Sequence, residues 1–209
     1  MLAFALGTVT ATSVCAVSPI KSAQTQTETV DKFERSVPPL GTTDKTVLSK
    51  APSPKVTICG EKKNARIVVD AANNILYKYD DNGKAEKAYS VATGKNSTPT
   101  LTGTYRVSHV EVSPYKYAPS WTVRRKNPRA FGKHAVILDI IDLKTGEISS
   151  TGQFIHGNND ESSVGFRRSG GCMRMANKAM DDEISKQVKR GDIVLIINPY
   201  GEIKPKRKK

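Results

Sequence analysis

The sequence predicts a mainly β fold, a closed sandwich or barrel of short strands with one α-helix that braces a glycine-rich turn. Short runs of β-branched and aromatic residues recur along the chain, as is typical of strands. Turn signals rich in asparagine and glycine separate these runs, and apolar residues have a helical spacing in one stretch. The turn signals are Asn73-Asn74, Asn82-Gly83 and Lys144-Thr145-Gly146.

The strand-like runs follow one another as a meander, which closes most simply into a sandwich or barrel. The connection at residues 114–132 is rich in Tyr, Pro and Arg and contains Trp121. We interpret it either as the wall of a binding site or as a loop that packs on its own domain around Trp121. Strands are predicted at residues 66–70, 75–80, 88–92, 103–112, 134–141, 147–150, 153–156 and 192–197.

The predicted helix begins at Asn177, which is a good N-cap residue. Acidic residues follow in its first turns, where they complement the helix dipole, and basic residues precede Gly191 at its end. An apolar stripe at helical spacing is formed by Met180, Ile184 and Val188. Because this helix closely follows Cys172, we expect it to brace the turn that holds this cysteine.

Composition divides the 209 residues into four parts. Residues 1–17 are apolar or small and uncharged, which predicts a signal peptide or N-terminal apolar segment and therefore export to the periplasm or cell envelope. Residues 18–54 are rich in Ser, Thr, Gln, Lys and Pro and predict a disordered tether. A folded domain is predicted at residues 55–199 and a basic tail at residues 200–209.

The formal net charge of +13 indicates anionic partners. The basic tail is a simple cationic end, and no basic motif is interleaved with aromatic residues, so nucleic acid is not a predicted partner. With an export signal, an anionic wall polymer or membrane surface is the expected partner of the tail. The histidines and cysteines lack the spacing of metal ligands, so neither a metal nor a cofactor is predicted.

The run from Ser169 to Arg174, Ser-Gly-Gly-Cys-Met-Arg, places Cys172 in a tight turn, and His156 lies sixteen residues upstream. A thiol becomes a good nucleophile when an imidazole takes its proton and positive charge stabilises the thiolate. This spacing allows the chain to leave one strand and return beside it. The pattern predicts a Cys–His acyl-transfer site in which nearby arginines lower the pKa of Cys172, whereas a lone cysteine is more often an inert buried residue.

The residues around Cys172 have further predicted roles. The backbone N–H groups of Gly171 and Cys172 are expected to bind a developing oxyanion. Ser169 either supports the turn or contacts the substrate. Arg174 either binds a substrate carboxylate through two hydrogen bonds or ties the turn to the domain.

These residues resemble the signature of the L,D-transpeptidase catalytic domain of bacterial cell walls. Two departures occur, because Gly170 stands where many members have a second histidine, and residues 100–102 are extra before Gly103. The resemblance covers residues 56–199 and is carried by His156-Gly157, Ser169-x-Gly171-Cys172-x-Arg174-Met175 and Asn177, with upstream segments at residues 66–70, 75–79, 91–95, 98–99 and 103–105.

The resemblance implies a fold of the L,D-transpeptidase type and acyl transfer between donor and acceptor stem peptides of peptidoglycan, through a thioester on Cys172. It also implies that the carbonyl of Gly157 orients the imidazole of His156 and that carbapenems acylate Cys172. Two alternatives remain open. Either water resolves the same thioester, which gives an L,D-carboxypeptidase, or the chain is a basic wall-binding module that has lost its chemistry.

Overall fold

A computed structural model describes residues 37–200, and the predicted signal peptide at residues 1–17 lies outside the described residues. The described part is mainly β, as the sequence predicts, and is built around an eight-stranded sheet. Its strands are β1 (Lys55–Ile58), β2 (Glu61–Asn64), β3 (Ile67–Asp70), β4 (Ile75–Tyr79), β5 (Ala85–Ser90), β6 (Thr93–Gly94), β7 (Gly103–Val112), β8 (His134–Ile141), β9 (Ile148–His156), β10 (Arg167–Ser169), β11 (Met173–Arg174) and β12 (Ile193–Ile197).

The helices of the described residues are short. Helix α1 (Lys45–Leu48) precedes the sheet, and α2 (Val123–Lys126) lies in the connection between β7 and β8. The third helix, α3, is α-helical at Asn177–Ala179, π-helical at Met180–Ile184 and α-helical again at Ser185–Gln187. Two single 3₁₀ turns lie at Pro128–Phe131 and Glu161–Ser163. Among residues 37–200, no helix has the length and apolarity needed to cross a membrane.

The eight-stranded sheet has the order β11-β9-β8-β7-β12-β3-β4-β5. Its neighbours are antiparallel except for two parallel pairs, β11 with β9 and β12 with β3. The two edges of the sheet come back together, because Ala92, shortly after β5, pairs with Arg174 of β11 through backbone hydrogen bonds of 2.8 and 2.9 Å. The curled sheet is therefore closed at a point next to Cys172.

Helix α3 packs against the sheet through the apolar stripe that the sequence predicts. Met180, Ile184 and Val188 lie in one buried cluster with side chains of β3, β7, β8, β9 and β11. Burying an apolar side chain of this size contributes roughly 1.5–3 kcal/mol. The helix thus holds the glycine-rich turn in place from the core side, because Met173 and Met175, on either side of Arg174, belong to the same cluster.

The ends of α3 differ from the prediction. Ala176 occupies the N-cap position and Asn177 is the first helical residue, because the Asn177 amide binds the backbone of Asn158 instead of capping its own helix. The helix ends at Gln187, since Val188 is already extended, with φ −85° and ψ 143°. The predicted extension to the basic residues before Gly191 is wrong.

The domain starts earlier than the predicted boundary at residue 55. Val37 is buried, and its carbonyl accepts a hydrogen bond from Ser90 Oγ. Thr42 pairs with Ala88 of β5, and Tyr79 Oη donates to the Pro52 carbonyl at 2.5 Å. Residues 37–54 are therefore part of the domain, and the prediction of a disordered tether is wrong for them. These residues bury few apolar side chains, but backbone pairing with β5 holds them against the sheet. Residues 18–36 lie outside the described residues.

We expect a chain that begins at residue 55 to be less stable than one that begins at residue 37. Removing residues 37–54 exposes the surface that Val37 covers and breaks the hydrogen bonds to Ser90, Ala88 and Tyr79. The free energy of unfolding should fall by roughly 2–4 kcal/mol. Urea unfolding of the two truncated chains measures this difference. Coincident unfolding midpoints would show that these contacts contribute nothing.

The domain also ends later than the predicted boundary at residue 199. Tyr200, placed by the sequence in the basic tail, belongs to the domain, because its hydroxyl donates to the Gly94 carbonyl at 2.6 Å and its ring lies under the guanidinium of Arg167 at 4.1 Å. Residues 201–209 lie outside the described residues.

Candidate active site

The register of two parallel strands brings the predicted nucleophile and base together. Met173 of β11 pairs with Ile155 of β9, and Arg174 pairs with His156. Cys172 therefore lies at the start of β11, beside the end of β9 that carries His156. This confirms the prediction that the chain returns beside the strand it left.

Cys172 and His156 line the same cavity, which has a volume of about 580 Å³. This size is in the range of sites that hold a small molecule or a short peptide segment. Ser169, Gly170 and Arg174 also contribute to its wall. The remaining wall comes from β9 and from the connection between β7 and β8, through Trp121, Thr122, Val123, Arg124, Ala130, Phe131, Gly152 and Phe154.

The tautomer of His156 follows from its hydrogen bond. Nδ1 contacts the carbonyl oxygen of Gly157, and a carbonyl can only accept, so Nδ1 carries the proton. Nε2 is then unprotonated and can accept a proton. The ring lies against Phe131, with ring centroids 4.5 Å apart. Burial lowers the pKa of His156 to about 4, and the charge of Arg174 acts in the same direction, so the imidazole is neutral at pH 7.

Asn177 and Gly132 fix the turn at Gly157 and Asn158, which follows His156 directly. Asn177 Oδ1 accepts from the Asn158 N–H at 2.8 Å, and its Nδ2 donates to the Asn158 carbonyl at 2.8 Å. There is no room for a side chain at Gly157, because a Cβ there would lie 2.3 Å from Asn177 Oδ1 and 3.2 Å from Gly132 Cα. The carbonyl of Gly157 is thus held against the imidazole by a close approach of Asn177 and Gly132.

The turn before Cys172 is closed by the side chain of Ser169. Its hydroxyl donates to the Cys172 carbonyl at 2.5 Å and accepts from the Gly171 N–H at 3.0 Å. Ser169 is buried and supports the turn, which is the first of its two predicted roles. The N–H of Gly171 is already bonded here, so it would have to release or share this hydrogen bond to bind an oxyanion, and its role stays a prediction.

Glycine is needed at position 171 for backbone conformation, since its φ is +121°. The turn is held from the other side by β6. Gly94 has no space for a Cβ, which would lie 2.1 Å from the Thr98 carbonyl oxygen and 3.0 Å from Gly171 Cα. The N–H of Lys95 also donates to the Ser169 carbonyl at 3.0 Å.

The electrostatic setting of Cys172 differs from the prediction. Burial raises the pKa of the thiol to about 11, and the charges of Arg174 and Arg124 together with the backbone of Phe154 offset only part of this effect. The expected net lowering of the pKa of Cys172 is wrong, because burial of the thiol outweighs the charges of Arg174 and Arg124 and two other arginines point elsewhere. Arg167 lies on the ring of Tyr200, and Arg168 lies over the ring of Phe166. At pH 7 the pair is therefore a neutral thiol and a neutral imidazole.

This setting predicts how Cys172 is alkylated in the absence of substrate. Iodoacetamide reacts with the thiolate, so the rate at Cys172 should keep rising with pH towards a midpoint of about 11. Peptide mapping of samples quenched at short times measures the rate, and the exposed Cys59 in the same sample serves as the reference for reagent reactivity. A rate at Cys172 that reaches its plateau below pH 8 would contradict the neutral pair.

Arg174 is held in the wall of the cavity without a carboxylate partner. Its backbone closes the sheet with Ala92. Its buried Nε has no hydrogen-bond partner among residues 37–200. No aspartate or glutamate of these residues lines the cavity. The cavity is therefore a cationic recess suited to a carboxylate.

The connection between β7 and β8 forms one wall of the cavity, and it also packs on its own domain through the buried Tyr115 and Ala118. Arg124 fastens it to the sheet, because Nε donates to Glu111 Oε2 at 2.8 Å and the guanidinium lies over Phe154 at 4.8 Å. Tyr115 Oη donates to the carbonyls of Phe131 and Gly132. Trp121 is 75% exposed at the rim and does not anchor the loop.

Sequence reasoning missed several residues that position the site. Gly132 and the Glu111–Arg124 pair carry no local signal, because their roles depend on contacts between distant parts of the chain. The sequence indicates Asn177 only as part of the signature and as a helix cap. Its amide side chain, next to a predicted helix start, is the one local signal that it could bind the backbone of another turn.

Comparison with known proteins supports this description. Residues 64–196 match the family model YkuD, described as the L,D-transpeptidase catalytic domain. Comparison with curated proteins gives no match.

Solved structures of similar chains come from several bacteria. A mutant L,D-transpeptidase of Enterococcus faecium is 23% identical, with 64% of this chain and 49% of that chain covered and a TM-score of 0.44. This chain thus spans about half the length of that enzyme. An L,D-transpeptidase from Mycobacterium smegmatis is 17% identical, with 70% and 69% covered and a TM-score of 0.43. L,D-transpeptidase 3 of Mycobacterium tuberculosis, in complex with a faropenem-derived adduct, is 14% identical, with 70% and 69% covered and a TM-score of 0.43.

The family match covers well over half of the chain, including β3 to β11 and most of β12. It also includes every residue that the sequence predicts for the site, from His156 to Arg174. The chain therefore belongs to the YkuD family of L,D-transpeptidase catalytic domains.

Proposed function

We propose that this chain transfers acyl groups between peptidoglycan stem peptides through a thioester on Cys172, with His156 as the base. The observation that carries the proposal is the parallel pairing of β11 with β9, because Cys172 and His156 lie on these neighbouring strands and line one cavity. Export to the cell envelope, from the uncharged segment at residues 1–17, is part of the same proposal.

Because the Cys172 thiol and the His156 imidazole are both neutral before substrate binds, the thiol must lose its proton during the attack. The thiol proton passes to His156 Nε2 as Sγ attacks the amide carbonyl of the donor, and the N–H of Cys172 is the proposed donor to the oxyanion. The imidazolium then gives this proton to the departing amine, and the C–N bond breaks to leave a thioester. The amine of a second stem attacks the thioester, its proton passes through His156, and the Cys172 thiol is restored.

Arg174 is proposed to bind a carboxylate of the donor peptide. Arg174 lines the cavity that holds Cys172, and its guanidinium forms no ion pair with a carboxylate among the described residues. A planar guanidinium binds a carboxylate through two parallel hydrogen bonds, which an ammonium group cannot reproduce.

Arg174→Lys should therefore raise KM or lower kcat while leaving the fold in place. We expect kcat/KM to fall by about ten- to hundredfold, because a hydrogen bond to a charged group contributes ~1.5–3 kcal/mol. Steady-state kinetics with a soluble disaccharide-tetrapeptide measures the change. Arg66→Lys, at an arginine that pairs with Asp81 outside the cavity, is the matched control. Unchanged kinetics in a lysine variant with a lowered thermal midpoint would give Arg174 a structural role only.

Mass spectrometry of the protein incubated with a disaccharide-tetrapeptide tests the proposed function directly. We expect a thioester on the peptide that contains Cys172, and a cross-linked dimer when an acceptor amine is present. Release of the tripeptide without a dimer would assign the chain to the L,D-carboxypeptidase alternative. The absence of any adduct, with intact binding, would favour the wall-binding module without chemistry.

β-Lactams provide a second probe of the same thiol. Two similar structures contain a faropenem-derived adduct and an avibactam carbamoyl enzyme. We propose that a carbapenem acylates Cys172 in the same cavity, which would appear as a mass increase on the peptide that also contains Met173.

A further inference from the structure

The connection between β7 and β8, residues 113–133, has a composition unlike the rest of the chain. It contains six lysines and arginines and no aspartate or glutamate. Only Arg124 of this connection pairs with a carboxylate among residues 37–200, that of Glu111. We call residues 113–133 the aromatic–basic loop.

Large apolar side chains of the aromatic–basic loop point to solvent. Tyr117 is 95% exposed, Trp121 is 75% exposed and Val123 is 65% exposed. Exposed apolar groups clustered in this way mark interaction sites more often than chance exposure does. Tyr and Trp are also the residues that carry most binding energy at recognition surfaces.

The aromatic–basic loop is nevertheless anchored to the domain by hydrogen bonds and an ion pair. Its base is held by the Tyr115 hydroxyl on the carbonyls of Phe131 and Gly132, and by Arg124 between Glu111 and Phe154. The exposed side chains are thus presented from an anchored segment. A preorganised surface loses less conformational freedom on binding than a flexible one.

The aromatic–basic loop contributes to two recesses. It lines the cavity of Cys172 through Trp121 and Val123. Lys116 and Tyr117 line a second recess of about 360 Å³ at the end of β7, to which Glu111 also contributes. A ligand that leaves the catalytic cavity past Trp121 therefore meets a loop with exposed aromatic rings and with cations that pair with no carboxylate among residues 37–200, Arg124 excepted.

We infer that the aromatic–basic loop binds the glycan strand that carries the donor stem peptide. The inference rests on the proposed function. A cavity of about 580 Å³ holds a short segment of peptide, so the polymer attached to that segment must lie against the rim. Sugar rings pack on exposed aromatic faces, and the carboxylates of neighbouring stems match the loop cations that pair with no carboxylate among residues 37–200. Continuity with the catalytic cavity favours this polymer over a membrane surface.

The test uses the full chain carrying Cys172→Ala, so that binding is measured without chemistry. Co-sedimentation with purified insoluble peptidoglycan gives the affinity. The loop variant adds Tyr117→Ala, Lys126→Gln and Arg129→Gln, all at exposed positions. A matched control adds Leu143→Ala, Lys55→Gln and Lys62→Gln, which removes one exposed apolar side chain and two cations elsewhere on the surface.

We expect the loop variant to bind about tenfold more weakly or worse, and the control to bind as the parent protein does. Equal affinities of the loop variant and the parent protein for peptidoglycan would overturn the inference. Equal losses of affinity in the loop variant and the control would also overturn it, because net charge alone would then explain the binding. Loop-dependent binding to vesicles of phosphatidylglycerol and phosphatidylcholine, with none to peptidoglycan, would assign the loop to a membrane instead. Thioester formation by the unmodified protein with a soluble donor is a separate readout, so failure of the proposed function is recognised independently.

Discussion

Replacement of Cys172 by alanine is expected to abolish turnover and to leave the fold intact. Without the sulfur no thioester forms, and loss of a nucleophile typically lowers kcat on the order of 10⁴-fold or more. The turn does not depend on the thiol, because Ser169 binds the carbonyl of Cys172 and the N–H of Gly171. Exchange of the terminal D-amino acid of a tetrapeptide measures turnover, and the thermal midpoint reports on the fold.

Cys59→Ala is the matched control, since Cys59 is exposed and lies at the turn between β1 and β2, outside the cavity. It should retain the exchange rate of the parent protein. Exchange that persists in the Cys172 variant would show that another group is the nucleophile.

Gly157→Ala should disable the base although the histidine itself is retained. The new Cβ would lie 2.3 Å from Asn177 Oδ1, so either the Asn177 amide or the carbonyl that holds His156 Nδ1 must move. A displacement of about 1 Å at a reacting group costs on the order of 10²-fold in rate. Overpacking a tight site also costs ~1–3 kcal/mol of stability. Both kcat and the urea midpoint should therefore fall.

Gly170→Ala serves as the comparison for this variant. A Cβ at Gly170 meets no atom within 4 Å, and no positive φ restricts the position. The alanine should therefore be accommodated at Gly170 without loss of stability. If Gly157→Ala leaves both kcat and stability unchanged, the close approach of Asn177 and Gly132 does not position the base.

The sequence alone predicts the central sheet well, because its strands are long enough to show their apolar pattern. The strands at residues 103–112 and 134–141 begin and end where the sequence places them. The turns at Asn74, Gly83 and Gly146 have the positive φ that their residue types favour. Cys172 and His156 also lie beside each other on neighbouring strands, as their spacing in the sequence predicts.

Other features depend on contacts that no local pattern encodes. The hairpin of β1 and β2 was missed because β2 consists of Glu, Lys, Lys and Asn, all exposed. The pKa of Cys172 was predicted in the wrong direction, because proximity of arginines in sequence says nothing about burial of the thiol or about where their guanidinium groups point. The hydrogen bond that occupies the Gly171 N–H is visible only in the folded turn.

The parallel pairing of β9 with β11 fixes where Cys172 lies relative to His156. Relative placement of thiol and imidazole is set by two backbone pairs, Met173 with Ile155 and Arg174 with His156. The segment between the strands is itself held at several points, because Glu161 Oε1 accepts from the Asn177 N–H at 2.7 Å and Arg167 and Ser169 of β10 pair with β6. A slip of one residue in the pairing of β9 with β11 would turn every side chain of β11 to the opposite face of the sheet. Such a change of register would therefore separate Cys172 from His156 even though both residues were retained.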